Sequence, residues 1–144
     1  MKSVSIFYKS VRVSLNKGPD IRDISPLLDQ LIDDLKVKDG NLCATMMGST
    51  GSLTTIESEP GVVRDLMAAV NRLAPPGLQY EHEKAWHDGN GHSHVQAALL
   101  GPSISLPIRK GHLKLGTWQQ VVAFNHDNRS RQRTIEVTII GTTN

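Results

Sequence analysis

Five of the six histidines fall between His82 and His112, in a stretch that also carries Asp88 and Asn90 and runs on to Gln119. Imidazole titrates near neutrality and binds metals through a neutral ring nitrogen, so histidines beside carboxylate and amide groups are the material of an acid/base or metal site. His92 and His94 stand two residues apart. On a strand they would share a face and could chelate one ion; on a helix they point about 200° apart and could not. Val95-Gln96-Ala97-Ala98-Leu99-Leu100 favours a helix, which places Asn90 or Gly91 on the face of His94 and turns His92 elsewhere. His94 is thus the stronger site residue, and His82 is expected to meet it across the Gly-rich loop between them. With no HExxH or Cys/His pattern, His82, His92 and His94 read either as metal ligands or as surface and capping histidines. His87 beside Asp88 is a weaker partner, His126 is expected to stay outside the cluster in a turn, and His112 at a hairpin to be structural.

Other residues could supply binding groups. Gly48-Ser49-Thr50-Gly51-Ser52 offers backbone N–H groups and the Thr50 and Ser52 hydroxyls, as a phosphate nest does. It lacks the Walker lysine and the dinucleotide glycine spacing, and an ordinary turn uses the same residues. Arg129, Arg131 and Arg133 alternate, and the same parity continues through Ile135, Val137 and Ile139. On an unbroken strand Arg131 and Arg133 would therefore share the core face at the mouth of a pocket, where a guanidinium needs an anion: phosphate or a carboxylate. A solvated charge run is the alternative. Trp118-Gln119 could stack on and hydrogen-bond a planar ligand, or serve the core. Glu59, before Pro60-Gly61, is either an acid/base group or a helix cap.

The elements that must position these residues can be read from periodicity. Ser3 to Leu15 is a strand whose apolar parity shifts near Tyr8 to Val11, predicting a bulge or two short strands. Leu27, Leu28, Leu31, Ile32 and Leu35 follow helical spacing behind a Ser25 cap and Pro26. Asn41 to Met47 and Leu53 to Glu57 read as strands. Val62, Leu66, Met67, Val70 and Leu73 line a second helix, stopped by Ala74-Pro75-Pro76-Gly77. A short strand over Leu78 to His82, a loop over Trp86 to Asn90 and a third helix over Gly91 to Leu100 follow. Ser103 to Ile108, His112 to Phe124 and Arg131 to Ile140 read as β segments. About seven strands and three helices, with a C-terminal run of hairpins, predict an α+β fold with mostly antiparallel, sandwich-like sheets over a parallel one.

Composition sets the outer limits. A chain of 144 residues, 38% hydrophobic and 21% charged, suits one domain spanning residues 1–144. The net charge of +2 gives no basic excess for nucleic acid. The single cysteine, Cys43, excludes an intramolecular disulfide and is expected to be a buried, inert thiol. No apolar run approaches the roughly 20 residues of a membrane helix, and the start lacks a signal-peptide core, so a cytoplasmic protein without membrane contact is expected.

Taken together, several motifs resemble the YjbQ-like family: Gly48-Ser49-Thr50, Thr54-Thr55-Ile56-Glu57, Glu59-Pro60-Gly61, Tyr80-x-His82, Asn90-Gly91-His92-Ser93-His94, Leu100-Gly101-Pro102-Ser103, Gly111-x-Leu113-x-Leu115-Gly116-Thr117-Trp118-Gln119 and Arg131-x-Arg133. The likeness runs from about Val4 to Gly141. That family is described as secondary thiamine-phosphate synthases, so the resemblance implies joining of a pyrimidine diphosphate to a thiazole phosphate with loss of pyrophosphate. It also implies a compact α+β domain in a homotrimer, and a site of Glu59, His82, Asn90, His94, Gln119, Arg131 and Arg133, with a divalent ion such as Mg or Zn at the histidines. Thr50-Gly51-Ser52 stands where many members carry a His-Thr-Thr-like run. Trp118 would stack on a pyrimidine, and the arginines would receive a small phosphate-bearing ligand. A metal-dependent hydrolase and a non-catalytic phosphate- or metal-binding protein are the competing readings of the same residues.

Overall fold

In the computed structural model, which describes residues 2–144, the chain forms β1 (Ser5–Leu15), β2 (Asp20–Asp23), α1 (Ser25–Leu35), β3 (Asp39–Met46), β4 (Gly51–Ile56) and α2 (Pro60–Leu73). There follow α3 (Glu83–Trp86), α4 (Gly91–Leu100), β5 (Ser103–Arg109), β6 (His112–Leu113), β7 (Gln120–Asn125) and β8 (Arg131–Thr142). The strands make two antiparallel sheets, one in the order β1-β8-β3-β5-β6 and one in the order β2-β7-β4. The expected α+β, mostly antiparallel class is the one observed.

Strict two-residue alternation on β8 organises the core. Arg133, Ile135, Val137 and Ile139 all point inward and are buried, whereas Glu136 and Ile140 face out. Inward residues of β1 (Val13, Leu15), β3 (Leu42, Ala44, Met46) and β5 (Leu106, Ile108) join them. Leu53, Val121 and Ala123 from the smaller sheet close the other side, and Ile24, Leu28 and Ile32 plug the space along α1. Burying these aliphatic side chains is the main favourable term, at about 1.5–3 kcal/mol each.

Several expectations need correcting. β1 has no bulge: it pairs residue for residue with β8 from Ser5↔Gly141 to Leu15↔Arg131. Its parity shift instead leaves Val4, Ile6 and Tyr8 exposed on the outer face. Cys43 is exposed too, because it alternates with the buried Leu42 and Ala44 on β3. Ser25 does not cap α1; its hydroxyl accepts the Val121 N–H at 2.8 Å, tying the helix to β7. The segment before α3 forms turns rather than a strand over Leu78 to His82, and β2 was not foreseen because Asp20-Ile21-Arg22-Asp23 has little β character. His112 to Phe124 is two strands, not one. Between them the chain folds on itself, with Gln119 N–H bonded to Gly116 O and Gly116 N–H to Gln119 Oε1. There are four helices and eight strands among the described residues.

Glu59 shows its structural role directly. Its carboxylate accepts the N–H groups of Gly61 at 2.8 Å and Val62 at 2.9 Å, which caps α2 and holds the carboxyl below its ordinary pKa. Replacing it should fray the helix start. Glu59→Ala is expected to lower the thermal unfolding midpoint by roughly 3 °C, measured by circular dichroism.

Candidate functional site

A polar pocket of about 440 Å³ lies where the N-terminal end of α4, the β3–β4 loop and the start of β8 meet. It is lined by Gly48, Ser49, Thr50, His82, Trp86, Asp88, Asn90, His94, Asp127, Arg131 and Arg133. Among the residues singled out from the sequence, the fold thus gathers His82, His94, Asn90, Thr50, Arg131 and Arg133. Asp88, Asp127 and Trp86 join them without having been selected.

Arg133 is the unusual member. Its guanidinium is buried, with 6% of the residue exposed, and its Nη2 donates to Thr50 Oγ1 at 2.6 Å and to Asn125 Oδ1 at 2.7 Å. Both partners are neutral. Nε is buried without a hydrogen-bond partner among the described residues. Burial disfavours the charge and lowers the pKa, Asp127 favours it and Arg131 opposes it; arginine nonetheless stays protonated. The Thr50 hydroxyl donates a hydrogen bond to Asp127 Oδ2 at 2.8 Å, so the Asp127 charge is linked to Arg133 through that hydroxyl. That carboxylate is spoken for by Arg131, whose Nε lies 3.0 Å away. Burial alone would raise the Asp127 pKa, but hydrogen bonds from Thr50, Arg131 and Asn90 and the Arg131 charge outweigh it and hold the group ionised.

Two glycines make this arrangement possible. A Cβ on Gly48 would come within 2.8 Å of Arg133 Nη1, and one on Gly51 within 3.1 Å of Nε. Gly48 also has φ +100°, a backbone shape side-chain-bearing residues rarely adopt. The small-residue loop thus wraps the edge of a guanidinium.

On the opposite wall the rings of His82 and His94 are 4.5 Å apart, centroid to centroid. Among the described residues His82 Nδ1 is buried without a hydrogen bond and faces Asp88 Oδ1 at 3.5 Å and Glu83 Oε1 at 3.9 Å. These three side chains offer ligand atoms all within 4.8 Å of one another. Glu83 already accepts the N–H groups of Gly89 and Gly91, so His82 and Asp88 are the freer donors. Asn90 is a positioning residue: its Oδ1 accepts the Asn128 N–H and the Ser93 hydroxyl, fastening the turn before α4 to the loop after β7.

The remaining selected residues lie elsewhere in the single chain. His92 is on the far side of α4, as helical spacing requires, and lines a separate cavity of about 220 Å³. Ser52 is fully buried and bonded to His126. Glu59 and Trp118 line another groove with Asp23, Glu57 and Gln120. Trp118 is 73% exposed rather than in the core. Gln119 spans its own turn and Thr55 Oγ1. His87 ends α3 with φ 51°, facing yet another groove.

The fold and this pocket together define a two-sheet α+β protein with a histidine- and arginine-lined cleft. The family model described as "UPF0047 protein YjbQ-like" matches residues 9–142. The chain belongs to that family. It is 33% identical over 116 residues to the UPF0047 protein YjbQ of Escherichia coli O157:H7, covering 80% of this chain and 83% of the relative. A UPF0047 protein of Archaeoglobus fulgidus is 31% identical over 113 residues, or 78% and 88% of the two chains. Among solved structures, a YbjQ-like protein of unknown function from Sulfolobus solfataricus P2 superposes with a TM-score of 0.91 at 26% identity, covering 96% of this chain and 99% of that one.

His126, expected in a turn outside the histidine cluster, does not line the pocket; it is buried and borders the separate cavity that holds His92. Gln96 Nε2 donates to Asn71 Oδ1 and Ala74 O, so Gln96 Oε1 must accept from His126 Nδ1 at 2.9 Å. Nε2 is then the acceptor for the Ser52 hydroxyl at 2.8 Å, which makes the ring neutral. Burial, reinforced by the Arg133 and His92 charges, lowers its pKa from 6.5 to about 3. The unfolded chain takes up this proton near pH 6.5 and the folded one does not until about pH 3, so stability falls as pH drops through that window. We predict that the unfolding free energy at pH 5 lies about 2 kcal/mol below that at pH 7, read by urea denaturation, and that His126→Gln flattens most of this dependence.

Proposed function

We propose that this pocket binds a phosphate or pyrophosphate group and that the chain catalyses a secondary thiamine-phosphate synthase-like transfer. In that reaction the carbon–oxygen bond between a pyrimidine methylene and pyrophosphate breaks, a carbon–nitrogen bond to the thiazole phosphate forms, and pyrophosphate leaves. The observation that carries the reading is Arg133: a buried guanidinium with only neutral partners, one unpaired N–H and an open face on a cavity. A desolvated cation of this kind is stabilised by an anionic ligand. Arg131, on the rim and oriented by Asp127, supplies a second donor fork beside it. Together they would receive the charge that builds on a departing pyrophosphate.

A divalent ion would be held by His82 Nδ1 and Asp88, with His94 beside them, and would supply further positive charge toward the same oxygens. The mixed nitrogen and oxygen donors suit Zn better than Mg, which prefers oxygen alone. His94 holds or moves a proton at the pocket mouth.

A homotrimer is part of the same proposal. It is supported by the outer face of the larger sheet, where the cross-strand pair Ile6 and Ile140 and the adjacent Tyr8 are exposed by 55%, 49% and 73%. It is also supported by the separation, within one chain, of the Glu59 and Trp118 groove from the histidine pocket. Association would cover the first and could unite the second. Sedimentation equilibrium should give three times the mass of the chain, and a monomer at micromolar concentration would remove this part.

Calorimetric titration with pyrophosphate tests the anion site. Arg133→Met is expected to weaken binding by about 1–3 kcal/mol, with the fold checked by thermal melting; unchanged affinity in a folded variant would reassign Arg133 to structure. Incubation with both thiamine precursors and Zn should yield thiamine phosphate, and chelation by EDTA should suppress it. Release of phosphate from the diphosphate alone, with no coupling, would establish the hydrolase reading instead.

A further inference from the structure

The polar pocket continues into a second lobe of about 210 Å³, with which it shares Gly48, Ser49 and His94. The new walls are different in kind. Ala97 and Ala98 follow His94 at i+3 and i+4, so all three lie on one face of α4, and Pro102 closes the far end. Short side chains on that face create the groove by leaving it empty.

Hydrogen-bonding capacity is nearly exhausted there. Pro102 has no N–H and its carbonyl accepts the Met46 N–H at 2.8 Å; the Gly101 carbonyl accepts the Leu53 N–H at 3.2 Å, and the Gly101 N–H is taken by Ala97 O. A polar group set against this surface would find almost nothing to bond with, whereas an apolar one loses only water. The ligand that spans both lobes must therefore be charged at one end and apolar at the other.

Resting on the phosphate reading above, we infer that the site takes a phosphate or pyrophosphate ester whose organic part presents an apolar face to Ala97, Ala98 and Pro102. The lobe is an open groove with Ala98 exposed in its wall, so it seats an apolar face of the ligand without enclosing it. His94 stands at the junction, next to the bond that joins the two halves of such a ligand, where a proton donor or acceptor can act on it.

Competition calorimetry with inorganic phosphate and phenyl phosphate tests this. Phenyl phosphate should bind about tenfold more tightly to the wild-type chain, as expected for an added buried ring surface. Ala98→Leu, on an exposed helix position where leucine is well tolerated, should abolish that advantage while phosphate affinity stays within about twofold. Ala98→Ser, which adds no bulk, should keep most of it. Equal binding of the two ligands by a wild-type chain that does bind phosphate overturns the apolar lobe and spares the anion site, and so does an advantage that survives Ala98→Leu. Binding of neither ligand overturns both.

Discussion

Much of the site hangs on one placement: a guanidinium inside the protein with no carboxylate of its own. Desolvating an unpaired charge is among the most costly things a fold can do, and the surroundings of Arg133 are arranged around reducing that cost. Thr50 and Asn125 turn their oxygens toward it, Gly48 and Gly51 leave room beside it, and Asp127 sends its charge through the Thr50 hydroxyl. Each of these residues is fixed in turn by another. Asn125 donates to Asn16 O and Arg129 O, and Asp127 accepts the Arg129 N–H and the Arg131 guanidinium. Geometry of this kind leaves Arg133 stable enough to stay folded in and still short of one strong partner.

Placement of that arginine follows from strand register. β8 lies between β1 and β3 across unbroken antiparallel ladders, so a slip of one residue would turn Ile135, Val137 and Ile139 to solvent along with Arg133. The burial of three aliphatic residues thus holds one cation at the end of the same face. The charge is tolerated because Arg133 is the last inward position before the sheet opens onto the pocket.

This explains what could be read from the sequence and what could not. The parity of Arg133 with Ile135 was visible because period two is a local property, and the two helical stripes and the α4 helix were visible for the same reason. His92 and His94 could be assigned to opposite faces once the helix was recognised. The outcome at Cys43 and Trp118 depended on which face of a strand or turn found a partner, a question of tertiary packing that residue type alone answers badly. Asp127 and Asp88 went unselected because each sits in a turn-like run of Asn, Asp and Gly, where a carboxylate is ordinary; only the meeting of the two loops around α4 gives them neighbours. The sense of His126 was lost similarly. Asn125-His126-Asp127-Asn128 has the composition of a turn, yet Phe124 stacks on the His126 ring and Gln96 reaches it from a helix about thirty positions earlier in the chain.

The histidines show how one residue type is set to different tasks by its surroundings. His126 has both nitrogens committed to neutral partners and is buried, so it stays uncharged across the physiological range and serves as a polar strut between Ser52 and Gln96. His94 is half-buried at the junction of a polar and an apolar lobe, and neither of its ring nitrogens bonds a protein group among the described residues. His82 faces it with an unpaired nitrogen directed at a carboxylate. A neutral strut, a free imidazole and a carboxylate-facing imidazole thus lie within the reach of one helix and the two loops that flank it. A proton on the first would place a second buried cation near Arg133, whose charge already lowers the His126 pKa, so the neutrality of His126 and the unmet charge of Arg133 are two halves of one electrostatic arrangement.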